Sequence, residues 1–214
     1  MTYVGKPIGL RNLTWFPLTA DPETDTSSPN VGKATYGTAQ PLSRVIEATL
    51  SPQFAEALLE SDDSVEDDIR LASSYEVTIN ASQLTDEIRA QLMGHIYDDD
   101  GGSLFKQTDT PEVGALAFRA LLSKQSGEDD MYVHVVLYKG RFQEFEETFK
   151  SVEKGSITLQ THSGLRGTFV PRAADGAIMY RLRGDEVADE SAAKAKITNW
   201  FTAPQEVGTV TDAT

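Results

Sequence analysis

Asp98, Asp99 and Asp100 precede Gly101 and Gly102, and carboxylates on alternate positions followed by glycine are how a calcium loop offers oxygen ligands to a hard cation. The register defeats that chemistry. With Gly101 at the glycine position of such a loop, Ile96 falls where an aspartate must open it and Gln107 where a bidentate glutamate must close it. A plain β-turn accounts for the run, since Asp and Gly are the residues such turns use. Glu144 and Glu146 lie on alternate positions, as the paired carboxylates of a glycosidase could on one strand face. Acid and base roles need different surroundings that drive two pKa values apart, and the flanking sequence supplies no such difference. A solvated edge or a subunit contact explains both glutamates.

The only histidines, His95, His134 and His162, stand neither at metal-ligand spacing nor beside a nucleophile motif. His95 follows the end of a helical pattern, where positive charge is favoured. His134 sits among apolar strand residues as a core histidine would. There is no nucleophile elbow, phosphate loop or dinucleotide glycine fingerprint, and zero cysteines exclude thiolate metal sites, cysteine nucleophiles and disulfides. Trp200 and Phe201 read as core packing, with a partner anchor as the alternative. The residues therefore assign no catalytic, cofactor-binding or metal-binding site, and no cofactor.

The elements around these residues are mostly strands. Residues 132–139 form a dense run of β-branched and aromatic side chains closed by Gly140, which fits a core strand. Residues 157–162 alternate, and after a break at Gly164 the run 165–170 is extended again, so neighbouring antiparallel strands are expected. Tyr75, Val77 and Ile79 alternate with polar residues as in a half-buried strand. Leu84, Ile88 and Leu92 recur every four residues between a cap at Ser82 or Thr85 and a stop at Gly94, predicting one amphipathic helix. Further strands are expected at 33–38 and 44–50 as a hairpin, at 113–122, and at 177–183 after a hairpin turn at Asp175 and Gly176. A short strand reaches Gln107, and a second helix is expected at 192–201, ended by Pro204. Residues 1–32 read as an N-terminal arm and loop, 33–203 as the core, 51–73 as an acidic loop with some helix, and 204–214 as a tail.

The chain has 214 residues, enough for one domain with a substantial core. It carries 33 acidic against 19 basic residues, a net charge of −14, which opposes adsorption to nucleic acid or anionic membrane. No signal-peptide core or bilayer-length apolar run is present, so synthesis in the cytoplasm and no membrane partner are expected.

Several ordered words carry a resemblance. They are Val4-Gly5 with the apolar arm at 10–18, Lys33-Ala34-Thr35-Tyr36-Gly37, Glu47-Ala48-Thr49-Leu50-Ser51-Pro52, and Leu92-Met93-Gly94-His95. Leu137-Tyr138-Lys139-Gly140-Arg141-Phe142 and Ile197-Thr198-Asn199-Trp200-Phe201 complete the set. In this order and chain length the sequence resembles the major tail proteins, or tail tube proteins, of long-tailed non-contractile bacteriophages. The polar insertion at 21–30 and the acidity of 51–73 depart from that pattern.

The resemblance implies a mainly β (α+β) fold: an antiparallel β-sandwich flanked by a helix, with extended arms and a long loop. It implies hexameric rings stacked into a tube, lined by strands and traversed by phage DNA without specific binding. The implied location is the virion tail, with the tape-measure, tail tip and tail terminator proteins as partners. Channel-facing residues are left unassigned. The acidic segment 51–73 is expected to be poorly ordered in a free subunit, too charged and too poor in apolar groups to stand alone. It would dock on a neighbouring subunit through Phe54, Leu58, Leu59, Val65 and Ile69, with Tyr3 and Val4 as further contact residues. A tube protein of a contractile or secretion machine, and a β-sandwich carbohydrate-binding or hydrolase domain, stand as rival readings.

Overall fold

The structure, a computed structural model, describes residues 6–21, 34–42, 45–61, 64–82, 84–98, 100–123, 131–144, 162–183 and 204. Among them the chain is mainly β, with antiparallel pairing between strands and one α-helix. In chain order the elements are β1 (Pro7–Ala20), β2 (Thr35–Tyr36), β3 (Gln40–Pro41), β4 (Val45–Ser61), β5 (Ser64–Ala81), α1 (Asp86–Met93), β6 (Ile96–Tyr97), β7 (Ser103–Leu104), β8 (Gly114–Leu122), β9 (Met131–Phe142), β10 (His162–Phe169) and β11 (Met179–Arg183). One nine-stranded sheet runs in the order β2, β1, β8, β9, β10, β5, β4, with β3 joining β1 and β11 joining β9. β6 and β7 pair with each other alone.

The expected core strand is β9, and its dense composition follows from burial on both faces. Val133, Val135, Leu137 and Phe142 enter one apolar cluster, while Tyr132, Val136 and Tyr138 enter another. A strand covered on both sides has no polar face to alternate with. The first cluster gathers Trp15 from β1, Val77 and Ile79 from β5, Leu116 from β8, Phe169 from β10, and Leu92 and Met93 from α1. At its centre Trp15, Phe142 and Phe169 meet with ring centroids 5.3 to 6.5 Å apart. Gly140 makes room for them: a Cβ there would lie 2.4 Å from the Phe169 ring.

The helix forms where the apolar spacing places it. Thr85 Oγ1 accepts from the Ile88 amide at 3.4 Å, and Gly94, at φ 73°, takes the left-handed conformation that ends the helix. Leu92 and Met93 are buried against the sheet residues of the main cluster.

Four expectations need correction. The described part of 1–32 is no arm: β1 is a long strand paired with β8, and Leu13, Thr14, Trp15 and Phe16 are buried in succession. Its period is hidden because both faces are covered and because a bulge intervenes at Asn12, whose φ is 55°. Asn12 Oδ1 accepts from the buried Arg119 Nε at 2.9 Å. The runs at 33–38 and 44–50 do not form a hairpin with each other; β2 and β3 pair with β1, whereas β4 pairs with β5. The segment 51–73 is neither loop nor helix, because β4 continues to Ser61 and β5 begins at Ser64.

The turn at Asp175 and Gly176 does not reverse the chain into a hairpin either. β10 pairs with the end of β9 (Gly167 with Phe142), and β11 continues antiparallel to the same strand (Met179 with Leu137). The intervening residues bulge out and are pinned by Arg172, whose Nε bonds Asp175 at 2.7 Å while its guanidinium lies 4.0 Å over Tyr138. The alternating run at 157–161, the helix expected at 192–201 and the tail apart from Pro204 lie outside the described residues.

Candidate functional site

β4 and β5 form a hairpin that outruns the rest of the sheet. The register of β10 on β5 ends where Phe169 faces Tyr75, whereas β4 and β5 stay paired to Ser61 and Ser64. The nine residues of β4 past Pro52 span roughly 30 Å at about 3.3 Å each. Residues 52–56 and 70–73 are exposed at every position, so both faces of this ribbon meet solvent at its root. Phe54 is 56% exposed and Leu71 65%. Glu56 and Arg70 face each other and approach to 3.5 Å, a solvent-screened pair worth little by itself.

The residues expected to contact a partner fall largely on this ribbon. Phe54, Leu58 and Leu59 lie on β4, and Val65 and Ile69 on β5, with Leu59 opposite Asp67 and Ala57 opposite Ile69. Tyr3 and Val4 lie outside the described residues. Leu71 and the exposed Ile46 were missed. Leu71 continues the odd-numbered series Val65, Ile69, Tyr75, Val77, Ile79, but one extra residue in β5 between Ala72 and Ser74 resets the alternation. That shift puts Leu71 on the face opposite Val77 and Ile79, and so in solvent.

A second cluster joins titratable groups that are far apart in sequence. His95 Nδ1 lies 2.7 Å from Asp109 Oδ2, and its Nε2 lies 2.9 Å from Glu144 Oε2. Arg89 binds the same glutamate, its Nε 3.0 Å from Oε1, and the Phe105 ring lies tilted at 48° against the imidazole with centroids 4.1 Å apart. The Lys106 amide and then His95 hold the Asp109 carboxyl below its ordinary value. Burial works against the charge on Glu144, but His95 and Arg89 outweigh it and the carboxyl is again lowered. The arrangement ties α1 to the end of β9 and to the loop after β7. Among the described residues the partners of the imidazole are the two carboxylates and not a hydroxyl, which is the pattern of a polar tie between elements. Glu146, its expected companion, lies outside the described residues.

The acidic turn adopts the geometry of a turn. Asp98 Oδ1 accepts from the Asp100 amide at 2.6 Å, the Asp98 carbonyl accepts from Gly101 at 2.9 Å, and Gly101 has φ 87°. Among the described residues no three His, Asp or Glu side chains are grouped to hold a metal ion. His134 is buried on β9, where burial and then the charge of Arg119 lower its pKa to about 4 and keep it neutral. His162 begins β10, opposite Ala81.

Two grooves remain. One, of about 490 Å³, opens at the root of the ribbon between Ile46, Leu50, Tyr75, Phe118, Val135 and Met179. The other, of about 390 Å³, has walls that include Pro111, Val113, Arg141, Phe142, Thr168 and Val170. Among the described residues no helix is long and apolar enough to cross a membrane. Comparison with known proteins finds no matching family model and no matching curated protein.

Proposed function

We propose that the chain is a structural subunit without enzymatic activity or cofactor, which assembles with copies of itself into six-membered rings stacked as a hollow tube. This is the architecture of the phage tail tube proteins that its sequence resembles. On this reading the sheet closes as a β-sandwich with α1 on its flank, and the tube belongs to a virion tail through which DNA passes. The tape-measure, tail tip and tail terminator proteins are its partners there.

The observation that carries the reading is the ribbon. A two-stranded hairpin is marginal in water by itself, and this one exposes both faces at its root together with Phe54 and Leu71. It is built to be covered. β4 is also the last strand of the sheet order, so its outer edge has no strand partner among the described residues. An open edge and a distant acceptor surface make a head-to-tail contact, which ends only by closing a ring or growing a filament. The net charge of −14 suits a conduit for a polyanion, because lysine and arginine contacts that release counterions would retain DNA.

Negative-stain microscopy of the purified full chain at high concentration tests the proposal. Hollow tubes with six-fold end views are expected. Protein that stays monomeric at every concentration, or tubes of another symmetry, would overturn it.

A further inference from the structure

His95 sits between two acids, and the hydrogen-bonding rules of its ring decide what charge it carries there. Nδ1 lies 2.7 Å from Asp109 Oδ2, and Nε2 lies 2.9 Å from Glu144 Oε2. Both carboxyls are ionised near neutral pH, and an ionised carboxylate only accepts hydrogen bonds. Acceptors on both sides require a proton on each ring nitrogen, so the imidazole there is the cation. The charges around it complete the balance. Arg89, on α1, binds the Glu144 carboxylate through Nε and Nη2. Lys106 donates its amide to Asp109 Oδ2 at 2.7 Å and places its own charge near that acid, while Phe105 lies against the imidazole ring.

The two ties differ in how easily they open. His95 and Asp109 belong to one packed unit: the Glu112 amide donates to the Leu92 carbonyl at 3.1 Å, and a Cβ on Gly94 would lie 2.2 Å from the Thr110 carbonyl oxygen. The Asp109 side chain is only 10% exposed, which leaves water little room to replace the imidazole as its donor. Glu144 comes from another element, two residues past the end of β9. Its side chain is 43% exposed, and it keeps Arg89 as a partner whatever His95 does. A ring left with a single proton therefore holds it on Nδ1, toward Asp109, and releases Glu144, whose freed oxygen takes water.

We propose that His95 is a proton-operated clasp between α1 and the end of β9. It is closed on Glu144 while the imidazole is charged, and open, with Nδ1 still donating to Asp109, once the ring is neutral. The clasp lies within one subunit and operates whether or not subunits assemble. Stability that a cation gains from its acids is present while it is charged and is lost as rising pH removes the proton, so the clasp opens toward alkaline pH. Gln143, next to Glu144, lines the groove of about 390 Å³ together with Phe142, so opening removes one of the ties that hold that wall.

Ring 15N NMR of the full chain reads protonation and tautomer directly, with His95 assigned by the signal lost in His95→Gln. At about pH 5, below the ordinary imidazole value near 6.5, both nitrogens should be protonated; at about pH 8.5, above it, Nδ1 should keep its proton and Nε2 lose it. Glu144→Gln should favour the neutral ring, because the new amide donates to a bare Nε2. At about pH 6.5 its ratio of charged to neutral imidazole should be lower than that of wild type by about tenfold or more. In thermal melts, raising the pH across this range should cost wild type about 2 to 4 °C more than His95→Gln. A wild-type ring with one proton at about pH 5 would overturn the charged clasp, and a neutral ring protonated on Nε2 would overturn the selective release of Glu144. An unchanged ratio in Glu144→Gln would show that Glu144 does not hold the ring charged, and the wild-type spectra decide the first two points without any variant having to fold.

Discussion

Replacing Phe54 and Leu71 together with serine separates assembly from folding. The two side chains are 56% and 65% exposed, so the subunit already leaves more than half of each in water. Full burial of such a residue is worth roughly 1.5 to 3 kcal/mol, so covering the remaining surface at a contact contributes about 1 to 2 kcal/mol apiece. Loss of both should weaken each contact by about 2 to 4 kcal/mol, which is roughly 30- to 700-fold in its association constant. The monomer should be almost untouched, with a change within about 0.5 kcal/mol, as for other surface substitutions. Sedimentation velocity and light scattering across a concentration series measure the first effect, and urea unfolding of dilute protein the second. An unchanged critical concentration would refute the burial of these residues on assembly. A large fall in monomer stability would show instead that the ribbon packs on its own chain.

Gly140→Ala should cost the folded subunit about 1 to 3 kcal/mol, measured by urea unfolding, because the new methyl group must displace the Phe169 ring from 2.4 Å. Asp21→Asn tests a buried anchor. Burial opposes the Asp21 charge, yet the amides of Ala173 and Ala174, the former at 2.9 Å, and the Lys139 ammonium at 2.6 Å outweigh it and lower its pKa. Its stabilisation is therefore present above the unfolded value near 3.9 and lost as pH falls through the folded one; the variant should be less stable at pH 7, and the difference should vanish in acid thermal melts. Glu112→Gln should act in the opposite direction, since burial raises the Glu112 pKa. Its favourable contribution holds below the unfolded value and is lost as pH rises through the folded one, so the variant should melt higher than wild type at pH 7 and gain nothing in acid.

What the sequence reveals depends on how each strand is covered. The strand at 75–79 is legible because β5 has one buried face there, and α1 because Leu84, Ile88 and Leu92 face the sheet while Thr85 and Gly94 mark its ends. β1 is hard to read for the opposite reason, since both of its faces are covered between Leu13 and Phe16 and Asn12 breaks the period. The ribbon is missed because acids and alanines are poor strand formers, and their conformation is set by a partner strand, not by local preference. The pairing of β2 and β3 with β1, and of β11 with the edge that β10 leaves, is set by contacts distant in sequence that no local pattern records. The tie between His95, Asp109 and Glu144 joins residues up to 49 positions apart and has no motif to announce it.

The outer edge of β4, without a strand partner among the described residues, sharpens the question of how association stays specific. A strand of 17 residues ending a sheet could accept any other extended chain. β4 carries two of the usual guards within its described side chains. Pro52 removes a backbone donor midway along it, and Glu47 and Glu56 place charge on exposed positions. These features oppose indiscriminate backbone pairing while leaving Phe54 and Leu71 exposed, so the specificity of contact rests on side chains.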